Sequence, residues 1–266
     1  MNPSPTHDTN AKKQFASMGE SIAAAQPQQI FPGEVFAQTT DFDTGIRQLL
    51  PRYDEMLSAI CRCLPPTSGR ILELGCGTGE LSLKVLNRCP DAQMVCVDYS
   101  PRMIQFAKEK IQASGYAERW TGIEADFGNW ANNPADEVGI GTGFDACISS
   151  LAIHHLTDEM KLKLFQRIRQ SLAAKGWFWN ADSLLAESSA LAEVYQAVRE
   201  EWATQQGTTL AEIRARLGTS STQGHSSHDQ LATLTAQLQM LTTAGFELVA
   251  VPWKYYGLAV FGGVLG

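Results

Sequence analysis

The stretch Ile71-Leu-Glu-Leu-Gly-Cys-Gly-Thr-Gly79 decides the fold that we expect for this 266-residue chain. Residues 70–74 form a short apolar run typical of a buried strand, and residues 80–87 have helical spacing. Glycines between a strand and a helix let the backbone approach a ligand closely, because glycine lacks a Cβ and tolerates positive φ. The spacing Gly-x-Gly-x-Gly also differs from the Gly-x-Gly-x-x-Gly of dinucleotide-binding loops. By itself the loop does not distinguish a ligand site from an ordinary strand-to-helix turn.

Strand and helix patterns alternate on both sides of this loop. Apolar runs predict further strands over 93–97, 120–125, 144–149 and 176–181. Helical spacing predicts helices over 52–64, 101–114 and 157–172. Such an alternation predicts an α/β fold, in which helices cover both faces of a parallel sheet.

The two ends of the chain differ from this alternating core. Residues 1–40 are rich in Gln, Ala and Thr, and we expect a flexible N-terminal segment there. Residues 41–266 are then one domain with a helical insertion at about 184–227, broken near Gly207 and ending in a polar loop over 218–227. A helix over 229–244 and two strands over 246–253 and 258–264 complete the sheet. We expect the inserted helices to form a lid, because loops and insertions on a rigid scaffold carry specificity.

Composition and charge exclude several classes of function. The chain has a net charge of −7 and a pI of about 5.3. Binding to a phosphate backbone relies on Lys and Arg, so we expect no nucleic-acid partner. No apolar stretch reaches the roughly 20 residues of a transmembrane helix, and residues 1–10 lack the basic and apolar regions of a secretory signal. The sequence therefore predicts a cytoplasmic protein without a membrane partner.

Two groups of potential metal ligands are too small to form a site. Cys61 and Cys63 lack the second Cys or His pair that a zinc site needs. His225 and His228 lie in a polar loop and supply only two ligands. We therefore expect no metal, and we interpret the six cysteines as small hydrophobic residues rather than as a disulfide framework.

Acidic residues at two predicted strand ends indicate a more specific ligand. Asp98 ends the second strand about 20 residues after the loop, where a carboxylate can accept hydrogen bonds from both hydroxyls of an adenosine ribose. Asp126 and Phe127 follow the third strand, and they place an acid and an aromatic ring where an adenine could lie. Ligands bind at this carboxyl edge in open parallel sheets.

Together with Ser149-Ser-Leu-Ala-Ile-His-His-Leu156, these features resemble the successive motifs of class I S-adenosylmethionine-dependent methyltransferases. The resemblance rests on four ordered motifs spread over residues 73–156. It implies a Rossmann-like sheet of seven mostly parallel strands with the last strand antiparallel. It also implies S-adenosyl-L-methionine as cofactor and S-adenosyl-L-homocysteine as product. The cofactor contacts that it implies are Tyr53, Glu73, Gly75, Cys76, Gly77, Gly79, Asp98, Tyr99, Met103, Asp126, Phe127, Ser149 and Ser150.

A weaker resemblance extends to the carboxy-S-adenosylmethionine synthases that serve wobble-uridine modification in transfer RNA. The segments that resemble this subfamily are Phe42-Asp-x-x-Ile46, Pro51-Arg-Tyr53 and Ala244-Gly-Phe246. The resemblance would bring Tyr53 over the cofactor, and it places Ser150 where the subfamily has a cofactor-contacting Asn. The subfamily binds its extra carboxylate with an Arg, whereas the matching position here is Thr204, and Arg199 lies one to two helical turns away. This departure favours unmodified S-adenosylmethionine.

Methyl transfer requires a nucleophile held in line with the sulfonium methyl group, and an O–H or N–H nucleophile must also lose a proton. His154 and His155 follow the fourth predicted strand, and histidine has an unperturbed pKa near 6.5 that suits a general base. We prefer His154, with His155 and Tyr53 as the other catalytic candidates. Either histidine could instead cap or pack against the following helix.

Aromatic residues in several segments indicate an apolar acceptor pocket. They are Tyr53, Trp179, Trp202, Trp253, Tyr255 and Tyr256. The sequence therefore predicts methyl transfer to a small aromatic or apolar metabolite. Two alternatives remain open: a carboxy-S-adenosylmethionine synthase or transfer-RNA modification relative, and a protein that binds S-adenosylmethionine without catalysis. Analogy with the family also suggests a homodimer.

Overall fold

The structure, a computed structural model, describes residues 39–133, 139–217 and 229–266. Its helices are α1 (Thr39–Leu49), α2 (Tyr53–Cys63), α3 (Glu80–Arg88), α4 (Pro101–Ala113), α5 (Phe127–Asn132), α6 (Asp158–Ser171), α7 (Ser189–Gln205), α8 (Leu210–Leu217) and α9 (Leu234–Ala244). Its strands are β1 (Arg70–Leu74), β2 (Gln93–Asp98), β3 (Trp120–Glu124), β4 (Phe144–Ser150), β5 (Leu172–Ser183), β6 (Leu248–Tyr255) and β7 (Leu258–Val264).

The seven strands form one sheet in the order β3-β2-β1-β4-β5-β7-β6. The first five pair in parallel, whereas β7 is antiparallel to both β5 and β6. This confirms the predicted Rossmann-like sheet with an antiparallel last strand. The chain runs outward from β1 to β3 and then crosses to β4 on the other side of β1. The strand order therefore reverses between β1 and β4, and ligands bind at the carboxyl end of such a switch point.

The core lies on both faces of the sheet. Successive side chains of a strand point to opposite faces, and β1 shows this clearly. Ile71 packs in a cluster with Met56 of α2 and Val85 of α3, whereas Leu72 packs in a second cluster with Phe165 of α6. All five side chains are fully buried. Because both faces of the sheet are buried, its strands appear in the sequence as continuous apolar runs. The helices that cover the two faces are amphipathic.

Several element boundaries differ from the sequence prediction. Helices α1 and α5 were not predicted. Strand β5 begins at Leu172 rather than at residue 176, because its pairing with β4 continues past a register shift between Phe144 and Ala146. Helix α9 begins at Leu234 rather than at residue 229, because Thr233 is its N-cap and accepts a hydrogen bond from the backbone N–H of Ala236 at 3.2 Å.

Two sequence predictions lie largely outside the described residues. The flexible segment over 1–40 overlaps them only at residues 39 and 40, which belong to α1. The polar loop over 218–227 lies wholly outside them. Of the helical insertion, α7 and α8 are described, and a break at Gly207 separates them as predicted. Among the described helices, none has both the length and the apolar composition of a membrane-spanning segment.

Candidate active site

The glycine loop follows β1 and is tied to the neighbouring strand. The backbone N–H groups of Gly75 and Cys76 both donate to the carbonyl of Val97, at 2.7 and 3.2 Å. Gly75 has a φ of 69°, and a Cβ on it would lie 2.2 Å from the Cβ of Ala152. Gly77 also has a positive φ, but a Cβ there would meet nothing within 4 Å. The loop therefore needs glycine at residue 75 for packing, and at residue 77 it leaves open space beside the backbone.

Asp98 lies at the end of β2, directly beside this loop. Its carboxylate accepts hydrogen bonds from the backbone N–H groups of Gly77 and Ser100, at 2.9 and 3.0 Å. The residue is 6% exposed. A carboxylate has about four acceptor positions, so Asp98 can hold the loop and still accept hydrogen bonds from ribose hydroxyls.

A cavity of about 260 Å³ opens at the carboxyl ends of β1, β2 and β4. Twelve of the predicted site residues line it: Tyr53, Glu73, Gly75, Cys76, Gly77, Asp98, Tyr99, Met103, Asp126, Phe127, Ser150 and His155. Seven other residues complete its wall: Phe42, Thr78, Glu80, Leu81, Leu151, Ala152 and Leu156. Residues from six separated segments of the sequence thus meet at the switch point between β1 and β4.

Three predicted site residues do not line this cavity. Gly79 is the left-handed N-cap of α3, and its Cβ position faces Ala107 of α4. Ser149 is buried within the sheet, where its hydroxyl donates to the carbonyl of Leu74 at 2.8 Å. The side chain of His154 turns away toward β5. Gly79 and Ser149 therefore support the backbone around the cavity and do not line it.

The adenine end of the predicted site is built by a helix cap. Asp126 is the N-cap of α5, and its Oδ1 accepts hydrogen bonds from the backbone N–H groups of Gly128 and Asn129, at 2.7 and 3.2 Å. This fixes the carboxylate at the cavity wall beside the buried ring of Phe127. At the end of β4, Ser150 contributes a buried hydroxyl that has no hydrogen-bond partner among the described residues. An unpaired hydroxyl on a cavity wall is suited to a polar ligand group.

Glu73 is a buried carboxyl beneath the glycine loop. It accepts hydrogen bonds from the hydroxyl of Ser82 and, at 3.5 Å, from the thiol of Cys96. Burial raises the pKa of Glu73 to about 7, and the nearby charge of Asp98 acts in the same direction. The side chain therefore titrates near neutrality, unlike an ordinary glutamate.

A charged network fixes α1 against the glycine loop. Asp43 accepts a hydrogen bond from the hydroxyl of Thr78 at 2.5 Å and pairs with Lys110 of α4. Lys110 also donates to Glu80 at 2.6 Å, and Glu80 pairs with Arg47 of α1. These contacts connect α1, the loop, α3 and α4 around the mouth of the cavity.

The same network positions two aromatic residues. Phe42 precedes Asp43 in the chain, and the ring of Tyr53 lies 5.4 Å from the guanidinium of Arg47. Both aromatic residues line the cavity. Burial raises the pKa of Tyr53, and the charges of Glu80 and Asp43 raise it further. Tyr53 is therefore neutral at physiological pH and is a poor general base.

The two histidines have different surroundings. His154 is buried, and its Nδ1 lies 2.5 Å from the Asp182 carboxylate, which also accepts a hydrogen bond from the His154 backbone N–H at 3.1 Å. Burial opposes protonation of His154, but Asp182 outweighs this effect and raises its pKa. His155 lines the cavity, and burial lowers its pKa despite the nearby Asp229. The side chain that faces the cavity is thus His155, although the sequence favoured His154.

Two important acidic residues were not among the predicted site residues. Asp182 follows Asn180 near the end of β5, where the Asn180 side-chain amide donates to it at 3.2 Å. Asp229 lies just before α9, within 3.4 Å of His155 Nδ1. The sequence did contain a feature that could have identified Asp182. It lies at the carboxyl end of a predicted strand, which is the same kind of position that led to the prediction of Asp98. Asp229 had no such signal, because residues 229–233 read as part of a helix.

Most of the predicted aromatic set supports the surrounding structure. The indole N–H of Trp202 donates to the carbonyl of Arg47, and that of Trp253 donates to Glu55, both at 3.0 Å. Trp179 is buried in the sheet. Tyr255 and Tyr256 contact each other at the turn between β6 and β7. Within the described residues, Tyr53 is the one member of this set that lines the cavity.

Comparison with known proteins agrees with this geometry. Residues 71–176 match the family described as a methyltransferase domain. This segment contains the glycine loop, Asp98, Asp126 and both histidines. Residues 71–176 thus form a methyltransferase domain, and the chain is similar to the class I S-adenosylmethionine-dependent methyltransferases. Its cofactor is accordingly S-adenosylmethionine, and the open space at Gly77, the Asp98 carboxylate and the unpaired Ser150 hydroxyl fit that group.

Individual methyltransferase-fold relatives are similar over most of the chain. The carboxy-S-adenosyl-L-methionine synthase of Campylobacter hominis is 26% identical over 226 residues, which cover 83% of this chain and 88% of that protein. An O-methyltransferase family protein from Burkholderia thailandensis has a TM-score of 0.62 at 13% identity and covers 94% of this chain and 67% of its own. Human N-acetylserotonin methyltransferase in complex with S-adenosylmethionine has a TM-score of 0.53 at 18% identity, and the match covers 89% of this chain and 60% of that one.

Proposed function

We propose that this methyltransferase acts on a small acceptor that binds beside His155. The observation that carries the proposal is the composition of the cavity wall. The same cavity wall also contains Leu151, Ala152 and Leu156, apolar residues of the segment that carries His155. An apolar wall with one convergent polar group is typical of small-molecule sites.

S-adenosylmethionine, when bound, supplies an electrophilic methyl group. The residues of the chain hold the acceptor and keep water away from the reacting atoms. Phe42 and Tyr53 cover the cavity with aromatic rings, and the apolar environment favours a step in which the sulfonium charge is lost. His155 offers a ring nitrogen to the acceptor, and this contact orients the nucleophilic atom toward the methyl group.

The nature of the acceptor follows from the charge of the protein and the size of the cavity. A net charge of −7 disfavours a nucleic acid, and the cavity is narrow and mainly apolar. We infer a small aromatic or otherwise apolar metabolite with an O–H or N–H group. A cytoplasmic location and a homodimer remain predictions.

A carboxy-S-adenosylmethionine synthase is the second candidate, and the similarity to the Campylobacter hominis enzyme of that name over 83% of this chain favours it. Arg199 of α7 is 7% exposed, and burial together with Arg214 lowers its pKa to about 10. It lies near enough to Asp229 for their charges to interact, and Asp229 contacts His155. Thr204 is exposed, and its hydroxyl donates to the carbonyl of Glu200 at 2.9 Å. The buried guanidinium is thus Arg199, which lines a pocket separate from the cofactor cavity, whereas the resemblance to the subfamily places Thr204 at the matching position.

The proposal is tested by measuring S-adenosylhomocysteine formation with separate small-molecule, RNA and protein fractions of a cell extract. We expect product with the small-molecule fraction. We expect His155→Ala to lower kcat by roughly 10²-fold or more, because the acceptor loses its orienting contact, while cofactor affinity stays near that of the unaltered protein. Turnover only with the RNA or protein fraction would contradict the proposal. Mass spectrometry of the cofactor retained on purification separates the second candidate, since that enzyme would hold a carboxylated form.

A further inference from the structure

His154, His155 and Asp229 bring three potential metal ligands together at one place. One nitrogen from each ring and one carboxylate oxygen lie within 4.8 Å of one another. His154 Nε2 is 3.5 Å from Asp229 Oδ1, and His155 Nδ1 is 3.4 Å from the same oxygen. We propose that this cluster binds a divalent transition-metal ion such as Zn²⁺.

The distances between the ligand atoms fit an ion better than they fit direct hydrogen bonds. N–H···O hydrogen bonds are usually about 2.7–3.2 Å long. Ligands at about 2.0–2.2 Å from a tetrahedral zinc are separated by roughly 3.4 Å. The two separations from Asp229 match this second value. The spacing of Asp229 from each histidine therefore fits an ion held between them, and the two ring nitrogens lie within 4.8 Å of each other.

The nitrogen of His155 that faces Asp229 also lacks a well-formed hydrogen bond. His155 Nδ1 is buried and has no hydrogen-bond partner among the described residues. Buried polar atoms are normally satisfied by a partner within the protein, a water or an ion. This nitrogen points toward Asp229, the side from which an ion would be held.

Asp182 provides the supporting contact that metal-binding histidines commonly have. Its carboxylate lies 2.5 Å from His154 Nδ1 and also accepts hydrogen bonds from the His154 and Ser183 backbone N–H groups. A carboxylate that accepts the Nδ1 proton directs Nε2 toward the ion and makes it a better ligand. Asp182 is thus a positioning residue for the site, and it does not itself belong to the ligand set.

The ion would also define how His155 meets the acceptor. With Nδ1 bound to the metal, the proton of the neutral ring lies on Nε2. The ring then donates a hydrogen bond at the cavity wall, and the proton of an O–H or N–H acceptor is released to solvent as the methyl group is transferred. Three protein ligands leave at least one coordination position for water, as in catalytic zinc sites.

The test measures metal binding directly and does not depend on methyl transfer. The full chain is first freed of metal with a chelator and is then titrated with Co²⁺. The absorption spectrum of bound Co²⁺ reports tetrahedral coordination by nitrogen and oxygen ligands. Zn²⁺ is then added as a competitor for the same site. We expect one ion per chain. Asp229→Asn and His155→Gln should each abolish the spectrum, and Asp182→Asn should weaken binding by about 10–100-fold because the three ligands remain.

Two control variants separate this site from incidental binding. Glu159→Gln removes an exposed carboxylate that pairs with Lys163, and His225→Gln with His228→Gln removes two histidines outside the described residues. Both should bind one ion as tightly as the unaltered chain. Zn²⁺ should raise the Tm of the unaltered chain and of the controls, but not of Asp229→Asn or His155→Gln. Absence of stoichiometric binding, or binding that survives both ligand substitutions, would overturn the proposal.

Discussion

The Asp98 carboxylate accepts a hydrogen bond from the backbone N–H of Gly77 at 2.9 Å, and it thereby joins the end of β2 to the glycine loop. This one contact connects the two strongest sequence motifs in space. It places a carboxylate at the position where a ribose would lie. The conformation of the loop and the affinity for the cofactor should therefore depend on the same side chain.

Replacement of Asp98 by alanine should weaken S-adenosylmethionine binding by about 1–3 kcal/mol, the usual worth of hydrogen bonds to a charged group. Calorimetric titration measures the change. Asp145→Ala is a matched control, because Asp145 also accepts two backbone N–H groups, from Gly69 and Arg70 at 2.8 and 2.9 Å, but at the opposite end of the sheet. Equal affinities for Asp98→Ala and the unaltered protein would refute the ribose assignment.

Gly75→Ala should abolish measurable cofactor binding. The added methyl group would lie 2.2 Å from the Cβ of Ala152, so the loop or the segment after β4 must move. Gly115→Ala is the control: residue 115 also has a positive φ, but its Cβ would meet nothing within 4 Å. The control should lose roughly 1–2 kcal/mol of stability from backbone strain and keep its affinity. Similar affinities for both variants would show that the close approach at Gly75 is unimportant.

Asp43 and Lys110 should be coupled in cofactor binding. Both side chains are partly buried, and Asp43 also holds Thr78 of the glycine loop. In a double-mutant cycle with Asp43→Asn and Lys110→Met, we expect a coupling free energy of about 0.5–1 kcal/mol in S-adenosylmethionine affinity. The exposed pair Arg52–Glu55 is the control and should show no coupling in this affinity. Strictly additive effects of Asp43→Asn and Lys110→Met would contradict a connection between α1 and the loop.

Glu73 should make the protein less stable as pH rises through the neutral range. The pKa of Glu73 is about 7 in the folded chain and 4.5 as its ordinary value. Between these values the unfolded chain loses the proton while the folded chain keeps it, so the free energy of unfolding falls as pH increases. Relative to Glu73→Gln, the unaltered protein should lose roughly 1–3 kcal/mol between pH 4.5 and pH 7.5. Denaturant unfolding at both pH values measures this difference, and a constant difference would contradict the buried, protonated carboxyl.

Much of the sheet could be predicted because its strands are buried on both faces and appear as short apolar runs. β1 was predicted at residues 70–74, the bounds that the structure shows. Helix α1 could not be predicted in this way, since its sequence is polar and contains Gly45. Its position depends on distant partners: a Cβ on Gly45 would lie 2.3 Å from Leu217 of α8, and Asp43 pairs with Lys110. Contacts of this kind have no local signature.

The residues of the candidate site also fall into two groups, those that the sequence predicts and those that it does not. Residues within ordered motifs, such as Asp98 and Ser150, were predicted and line the cavity. The orientation of two adjacent histidines could not be predicted, because it depends on which one meets Asp182 from β5. Asp229 was missed because its approach to both rings is a long-range contact.

We expect the protein to move the sulfonium methyl group to a small acceptor beside His155. The most direct measurement uses S-adenosylmethionine labelled with deuterium in that methyl group, incubated with the protein and a small-molecule extract and followed by mass spectrometry. We predict S-adenosylhomocysteine together with an acceptor that carries the labelled methyl. Label that remains on the sulfur in a carboxylated cofactor, with no methylated acceptor formed, would contradict the claim.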